Sequence, residues 1–127
     1  MKLNAVHHIA IICSDYEKSK AFYQNLGFEV KNEYFRSERN SYKTDLSLNG
    51  TYTIELFSFP NPPRRLSYPE ATGLRHIAFE VDNIETALQE LDAKNIPHEM
   101  IRIDEYTGKK FIFFKDPDDL PIEFYEK

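Results

Sequence analysis

Two histidine–glutamate pairs recur at one spacing in this chain. Glu55 follows His8 by 47 positions, and Glu123 follows His76 by the same 47, so the second pair is the first shifted by 68. The flanks repeat as well. Val6-His7-His8-Ile9-Ala10-Ile11 matches Leu74-Arg75-His76-Ile77-Ala78-Phe79, and Ile54-Glu55-Leu56-Phe57 matches Ile122-Glu123-Phe124-Tyr125. Imidazole nitrogen and carboxylate oxygen are donors for a divalent metal. Two of each, brought together by a pseudo-two-fold, would form a four-ligand site.

Elements that could position these side chains also repeat at 68. After the first histidine strand, Ser14 and Glu17 read as a helix N-cap and its capping-box partner, and Asp82 and Glu85 stand at the shifted places. Gly27 would close the first helix in a left-handed conformation, and Asn95, its shifted counterpart, suits the same geometry. Tyr16, Ser19, Phe22, Tyr23 and Leu26 form one helical stripe, weak at Ser19. Ile84, Ala87, Leu88 and Leu91 form the other. Extended segments follow: 28–34, 42–48 and 51–59 in the first half, the last two joined at Asn49-Gly50, and 96–103, 110–114 and 121–125 in the second. Thr107-Gly108 and Asp116-Pro117-Asp118-Asp119 supply turns. The pattern predicts an α+β fold of two tandem βαβββ modules in one domain over 1–127. Module one spans about 4–59 and module two about 73–127, and Pro60, Pro62, Pro63 and Pro69 stiffen the linker over 60–72.

Strand alternation places the ligands. Ile9 and Ile11 should pack on the helix, as should Ile54, Leu56, Ile77, Phe79, Val81, Ile122 and Phe124. His8, Ala10 and Ile12 then face the other way, with Thr53, Glu55, Phe57, Phe59, His76, Ala78, Glu80, Pro121, Glu123 and Tyr125. All four ligand candidates thus lie opposite the helices. A sheet curving around that face would make a half-open, barrel-like cleft walled by Phe57, Phe59 and Tyr125. Other reactive residue types read as structural. His7 points to the helix side, His98 follows Pro97 at the surface, Cys13 is a buried inert thiol, and Asp118-Asp119 are turn residues.

Composition narrows the classes. The formal charge is −5 with no basic stripe, which argues against nucleic acid. No apolar run approaches the roughly 20 residues of a membrane span, and the run Ile9–Cys13 is too short for a signal peptide. A single cysteine excludes an intrachain disulfide and fits a reducing compartment, so the expected location is cytoplasmic.

The repeated His-Ile-Ala, the helix end Leu26-Gly27-Phe28, Ile54-Glu55-Leu56 and the closing Asp116-Pro117-Asp118…Ile122-Glu123 resemble the vicinal oxygen chelate (VOC) superfamily across the whole chain. Ile54-Glu55-Leu56-Phe57-Ser58-Phe59-Pro60 and Arg102-Ile103-Asp104…Thr107-Gly108-Lys109 are most similar to the small bacterial glyoxalase I-like proteins of the YaeR type. The resemblance implies paired βαβββ modules and a homodimer. It implies that His8, Glu55, His76 and Glu123 hold one divalent ion per site (nickel, cobalt, zinc, manganese or iron), in a site completed within one chain or across two. Two positions stay open for water or a small-molecule substrate. In glyoxalase I the metal holds an enediolate, and a ligand glutamate moves a proton between adjacent carbons of a thiohemiacetal. The symmetry of the repeat leaves either glutamate open to that role; the working hypothesis takes Glu123 as the base and Glu55 as the less mobile partner.

Two departures bear on the substrate. Glutathione-dependent relatives carry an arginine four residues after the first ligand histidine and an asparagine four after the first ligand glutamate. Here these positions hold Ile12 and Phe59, which cannot supply charge-assisted hydrogen bonds to the glutathione carboxylates. Candidate cations for an anionic substrate are Arg36, Arg39, Arg64, Arg65, Arg102 and Lys109. Arg102 and Lys109, flanking Tyr106-Thr107-Gly108, are favoured, and the expected pocket comprises Ile12, Phe57, Phe59, Glu80, Arg102, Lys109 and Tyr125. The leading expectation is a metal-dependent lyase or isomerase acting on a small oxygenated substrate, with dehalogenase-like or epimerase variants on the same site. Extradiol dioxygenases and fosfomycin-type thiol transferases use two histidines and one carboxylate, so the fourth ligand argues against them. Antibiotic-sequestering members generally lack the complete ligand set, and a metal-binding module without turnover is the remaining alternative.

Overall fold

A computed structural model describes all 127 residues. The chain divides into two compact units, Met1–Arg64 and Arg65–Lys127. In the first, β1 (Ile9–Cys13) leads to α1 (Tyr16–Asn25), β2 (Glu29–Arg36), a 3₁₀ turn (Ser37–Arg39), β3 (Ser41–Leu48) and β4 (Thr51–Ser58). In the second, β5 (Ile77–Val81) leads to α2 (Ile84–Ala93), β6 (Arg102–Ile103), β7 (Lys110–Lys115) and β8 (Pro121–Glu126). Each unit is βαβββ with an open four-stranded mixed sheet, ordered β1-β4-β3-β2 and β5-β8-β7-β6. No helix or strand lies between Ser58 and Ile77, where the prolines fall. Neither helix is long and apolar enough to cross a membrane.

Both helices end as their sequences predict. Gly27 (φ 110°) and Asn95 (φ 56°) take positive φ. Phe28 N–H donates to the Tyr23 carbonyl at 3.0 Å and Gly27 N–H to the Gln24 carbonyl at 3.0 Å. Ile96 and Asn95 repeat this on Leu91 and Asp92. These are two Schellman motifs, each with a buried residue just beyond the left-handed one. The N-caps lie one residue later than Ser14 and Asp82. Asp15 accepts from Lys18 N–H and Asn83 from Thr86 N–H, both from extended backbone. Capping there makes Tyr16 and Ile84, both buried, the first helical residues, and Ile84 N–H is taken by Glu126 of β8 at 2.9 Å. The 68-residue shift survives the correction, since Asp15 and Asn83 are 68 apart.

The expected alternation holds. Ile11, Leu46, Ile54 and Leu56 in the first unit, and Ile77, Ile112 and Ile122 in the second, are buried on the helix side. Ile12 of the opposite face is 55% exposed. Asn49 and Gly50 both have positive φ between β3 and β4, as a two-residue type I′ hairpin demands. Ser19, the weak stripe position, is fully buried and its hydroxyl has no partner.

The segment 96–103 departs from expectation. Only Arg102 and Ile103 pair with β7, and His98 makes one isolated bridge to Phe114. Pro97 supplies no N–H to a ladder, and Met100 is largely exposed, so this edge has little to pair or bury.

His98 lies at the surface, as expected, but its side chain is partly covered. Its side chain is 14% exposed, with Nδ1 2.7 Å from the Glu99 carbonyl and Nε2 2.7 Å from Asp92 Oδ1. The Glu99 carbonyl raises its pKa most, burial opposes the rise, and Asp92 adds to it. A raised folded-state value stabilises the fold fully below the unfolded pKa of about 6.5 and loses that stabilisation as pH climbs through the folded value. Denaturant unfolding of wild type and His98→Gln should therefore differ most in acid, with the gap narrowing towards pH 8. A gap that widened with pH would contradict this.

Candidate functional site

Both histidines stand immediately before their strands, since β1 begins at Ile9 and β5 at Ile77. The glutamates lie inside β4 and β8, and parallel pairing sets Ala10 beside Glu55 and Ala78 beside Glu123. Each histidine is two residues before that alanine, on the same side of the sheet. His8 Nε2 is 3.8 Å from Glu55 Oε2, and His76 Nε2 is 2.9 Å from Glu123 Oε2. Each unit therefore brings one histidine and one glutamate together, and no group of three or more His, Cys, Asp or Glu side chains gathers as metal donors in the structure.

The surroundings of the two pairs differ. In the first unit Asp45 stands opposite Glu55 across the β3–β4 ladder. Lys43 Nζ lies 3.0 Å from Asp45 Oδ1 and 3.4 Å from Glu55 Oε2, and Tyr52 Oη donates to Glu55 Oε2 at 2.6 Å. Asn32 Nδ2 donates to Asp45 Oδ2 at 3.2 Å. Two neighbouring carboxylates repel unless a cation or donors intervene, and here Lys43 and Tyr52 do so. The hydrogen bond to Asp45 is the main reason the Lys43 pKa rises. Burial pushes Asp45 up, but hydrogen bonds from Lys43, Tyr52 and Asn32 outweigh it and hold the carboxyl below its ordinary value. Burial, then the bonds to Glu55 and Asp45, push Tyr52 up.

In the second unit the positions 68 beyond Asp45 and Lys43 are Phe113 and Phe111. Phe113 stands opposite Glu123, with its ring edge-on to His76 at a centroid distance of 5.0 Å. Phe111 stacks on Tyr125. The position equivalent to Tyr52 is Leu120, which is buried. Glu123 thus meets His76 but no hydroxyl or ammonium donor, whereas Glu55 is held from two sides.

Neighbouring contacts also orient the histidines. Arg75 Nη1 is 3.0 Å from His76 Nδ1. A guanidinium only donates, so Nδ1 accepts and Nε2 carries the proton facing Glu123. Strand alternation predicts His7 on the helix side. It is exposed instead, with its Nδ1 2.8 Å from His8 Nδ1 and its ring against Tyr52. Alternation fails for His7 because the strand starts only at Ile9.

Pocket candidates divide by unit. Ile12 pairs with Phe57 across β1–β4, and Phe57 stacks on Phe59. Glu80 is exposed and pairs with Tyr125. Tyr125 Oη donates to Asp104 Oδ2 at 2.8 Å and hydrogen-bonds Thr107. Arg102 lies over Phe111 and Phe113, is 54% exposed at its side chain, and pairs with Glu99 at 3.3 Å. Lys109 is exposed. Sequence reasoning did not single out Lys43, Asp45, Tyr52 or Phe113. Carrying the 68-residue shift through every strand, beyond the ligand positions, would have brought out the Asp45/Phe113 and Lys43/Phe111 contrasts.

The sequence profile of the Glyoxalase/Bleomycin resistance protein/Dioxygenase superfamily matches residues 5–124. The chain belongs to this superfamily. It is 58% identical to the uncharacterized protein YaeR of Escherichia coli over 98% of each chain, in keeping with the YaeR-type resemblance. It is 33% identical to human mitochondrial methylmalonyl-CoA epimerase, over 91% of this chain and 69% of the epimerase. Among solved structures, a glyoxalase family protein from Enterococcus faecalis superposes with a TM-score of 0.91 at 46% identity, covering 99% of this chain and all of that one. FosX of Listeria monocytogenes, a fosfomycin resistance protein solved with Mn(II) and 1S,2S-dihydroxypropylphosphonic acid, shares the fold at 20% identity. Its TM-score is 0.76, over 98% of this chain and 93% of that one. A relative by sequence is thus named as an epimerase, and a protein of the same fold was solved with a divalent metal.

Proposed function

We propose that this superfamily member is a divalent-metal-dependent lyase or isomerase of glyoxalase I type, moving a proton on carbon next to a carbonyl in a small oxygenated substrate. The supporting observation is the matched pair of contacts, His8–Glu55 and His76–Glu123, at equivalent positions of two parallel strand pairs. Two imidazole nitrogens and two carboxylate oxygens fit a six-coordinate nickel, cobalt, manganese or iron ion, or zinc, with two positions open. A complete set needs both pairs, within one chain or across two chains of a homodimer. When bound, the cation would stabilise negative charge developing on a substrate oxygen.

The chain's own residues divide the remaining work. Glu55, held by Tyr52 and Lys43, serves as a fixed ligand. Glu123, without such donors, is the carboxylate free to take a proton from carbon and return it. The epimerase relative fits this class, because inverting a carbon flanked by carbonyls also begins with proton removal. Ile12 and Phe59 stand where glutathione-dependent relatives carry polar anchors, so the substrate need not be a glutathione adduct.

Metal analysis of purified, reloaded protein tests this reading, followed by methylglyoxal turnover with a panel of thiols and none. One tightly held divalent ion per site with proton-transfer activity supports it. No retained metal overturns it, and retained metal without turnover moves the protein to the binding-module class. Tyr52→Phe should weaken metal binding by about 10–100-fold, as loss of a hydrogen bond that orients a ligand does. Calorimetric titration with unchanged affinity would count against a fixed Glu55.

A further inference from the structure

Beyond Glu55 on the same face of the first sheet, a guanidinium lies over two aromatic rings. Arg36 ends β2 opposite Ser41. Its Cζ is 4.9 Å from the Phe57 ring centroid and 5.7 Å from that of Phe59. Nη2 donates to Ser41 Oγ at 2.9 Å. The Nε–H is buried and meets no acceptor. Arg75 and Arg102 have Glu70 and Glu99 within ion-pair distance, but no carboxylate approaches Arg36.

The guanidinium is partly buried, with its Nε–H out of water, and no carboxylate of the chain balances its charge. Removing its N–H groups from water carries a cost that stacking on rings offsets only in part. A carboxylate or phosphate, taken on the planar fork of N–H groups, completes it with charge-assisted hydrogen bonds. The place is suited to a substrate. Phe57 follows Glu55 by two residues, about 7 Å along a strand, and exposed Ile12 lies beside Phe57.

We propose that Arg36, set over Phe57 and Phe59 beside Glu55, anchors an oxyanion substituent of the substrate, carboxylate or phosphate, a short carbon chain from the reacting end. Ile12 packs against that chain. The assignment of the anion to a substrate rests on the metal-dependent reading above, whereas the anion site stands on its own geometry. It also removes the need for the polar anchors that Ile12 and Phe59 replace.

The test uses metal-free full-length protein and follows the arginine Nε–H signals by NMR, with the Arg36 signal assigned by its loss in Arg36→Lys. Butyrate, butyramide and inorganic phosphate are titrated separately. A saturable shift of the Arg36 signal with butyrate, with phosphate, or with both, but not with butyramide, supports the proposal and identifies the anion class. Calorimetric titration with the same anions compares the variants, which lack the Arg36 signal: Arg36→Gln should bind the anion at least about tenfold more weakly, the loss of one charge-assisted contact. Arg39→Gln, on the adjacent exposed turn, should bind like wild type. Thermal unfolding checks each variant, and Arg36→Lys, which keeps the charge but loses the fork, should fall between wild type and Arg36→Gln. Equal response to butyramide, no response to either anion, or undiminished affinity in Arg36→Gln overturns it. Nothing turns over and no metal is present, so this result stands or falls apart from metal loading.

Discussion

Glu123→Gln should lower turnover of a confirmed substrate by about 10²–10⁴-fold, the range for removing a positioned general base. Glutamine keeps the shape and one oxygen of the side chain but cannot accept a proton from carbon. The two glutamates are equivalent in sequence, so the repeat alone predicts equal effects. Their surroundings predict otherwise. Glu55 is tied by Tyr52 at 2.6 Å and Lys43 at 3.4 Å, while Glu123 has His76 and the Phe113 ring for neighbours. Glu55→Gln should therefore act more on metal affinity than on the proton-transfer step, and Glu123→Gln the reverse. Metal titration and single-turnover kinetics on both variants separate the two effects. Unchanged turnover in Glu123→Gln would remove it as the base.

His76→Ala should abolish stoichiometric metal retention, with affinity falling by more than the 10–100-fold typical of losing a mere supporting contact. Alanine removes one of two nitrogen donors and leaves Glu123, largely sheltered from solvent, facing an unfilled space. His8→Ala should behave alike, because the two histidines hold matching positions. His98→Ala is the control: His98 bonds Asp92 and the Glu99 carbonyl, so its loss should leave metal content unchanged. Elemental analysis after reloading and dialysis decides the matter. Metal retained in His76→Ala at the wild-type level, or lost equally in His98→Ala, would break the assignment.

Much of the architecture was legible because it rests on local chemistry. The left-handed residues Gly27 and Asn95, the Asn49-Gly50 hairpin and the alternation of Ile54, Glu55 and Leu56 all act within a few residues of themselves. Boundaries were less legible where neighbouring residues offer the same chemistry. Ser14 and Asp15 can each cap a helix, and the burial of Tyr16 selects Asp15. The segment 96–103 has enough apolar residues to read as a strand. Whether an edge pairs depends on the neighbouring chain and on donors such as the one Pro97 lacks.

The sequence by itself determined the repeat, the α+β class of each half, and the superfamily. It also placed two histidine–glutamate pairs on the face away from the helices, because strand period and helix caps are properties of short segments. Only the tertiary structure decided how the two pairs differ. Asp45, Lys43 and Tyr52 reach Glu55, and Phe113 stands in the corresponding place before Glu123, through cross-strand register and the irregular pairing near Ser47. The same holds for Arg36. Along the chain it is one of several surface-type arginines, and its position over Phe57 and Phe59 arises from strands β2 and β4 meeting through β3. Contacts between residues distant in sequence set hydrogen bonding and desolvation, and the roles proposed for Glu55, Glu123 and Arg36 rest on them.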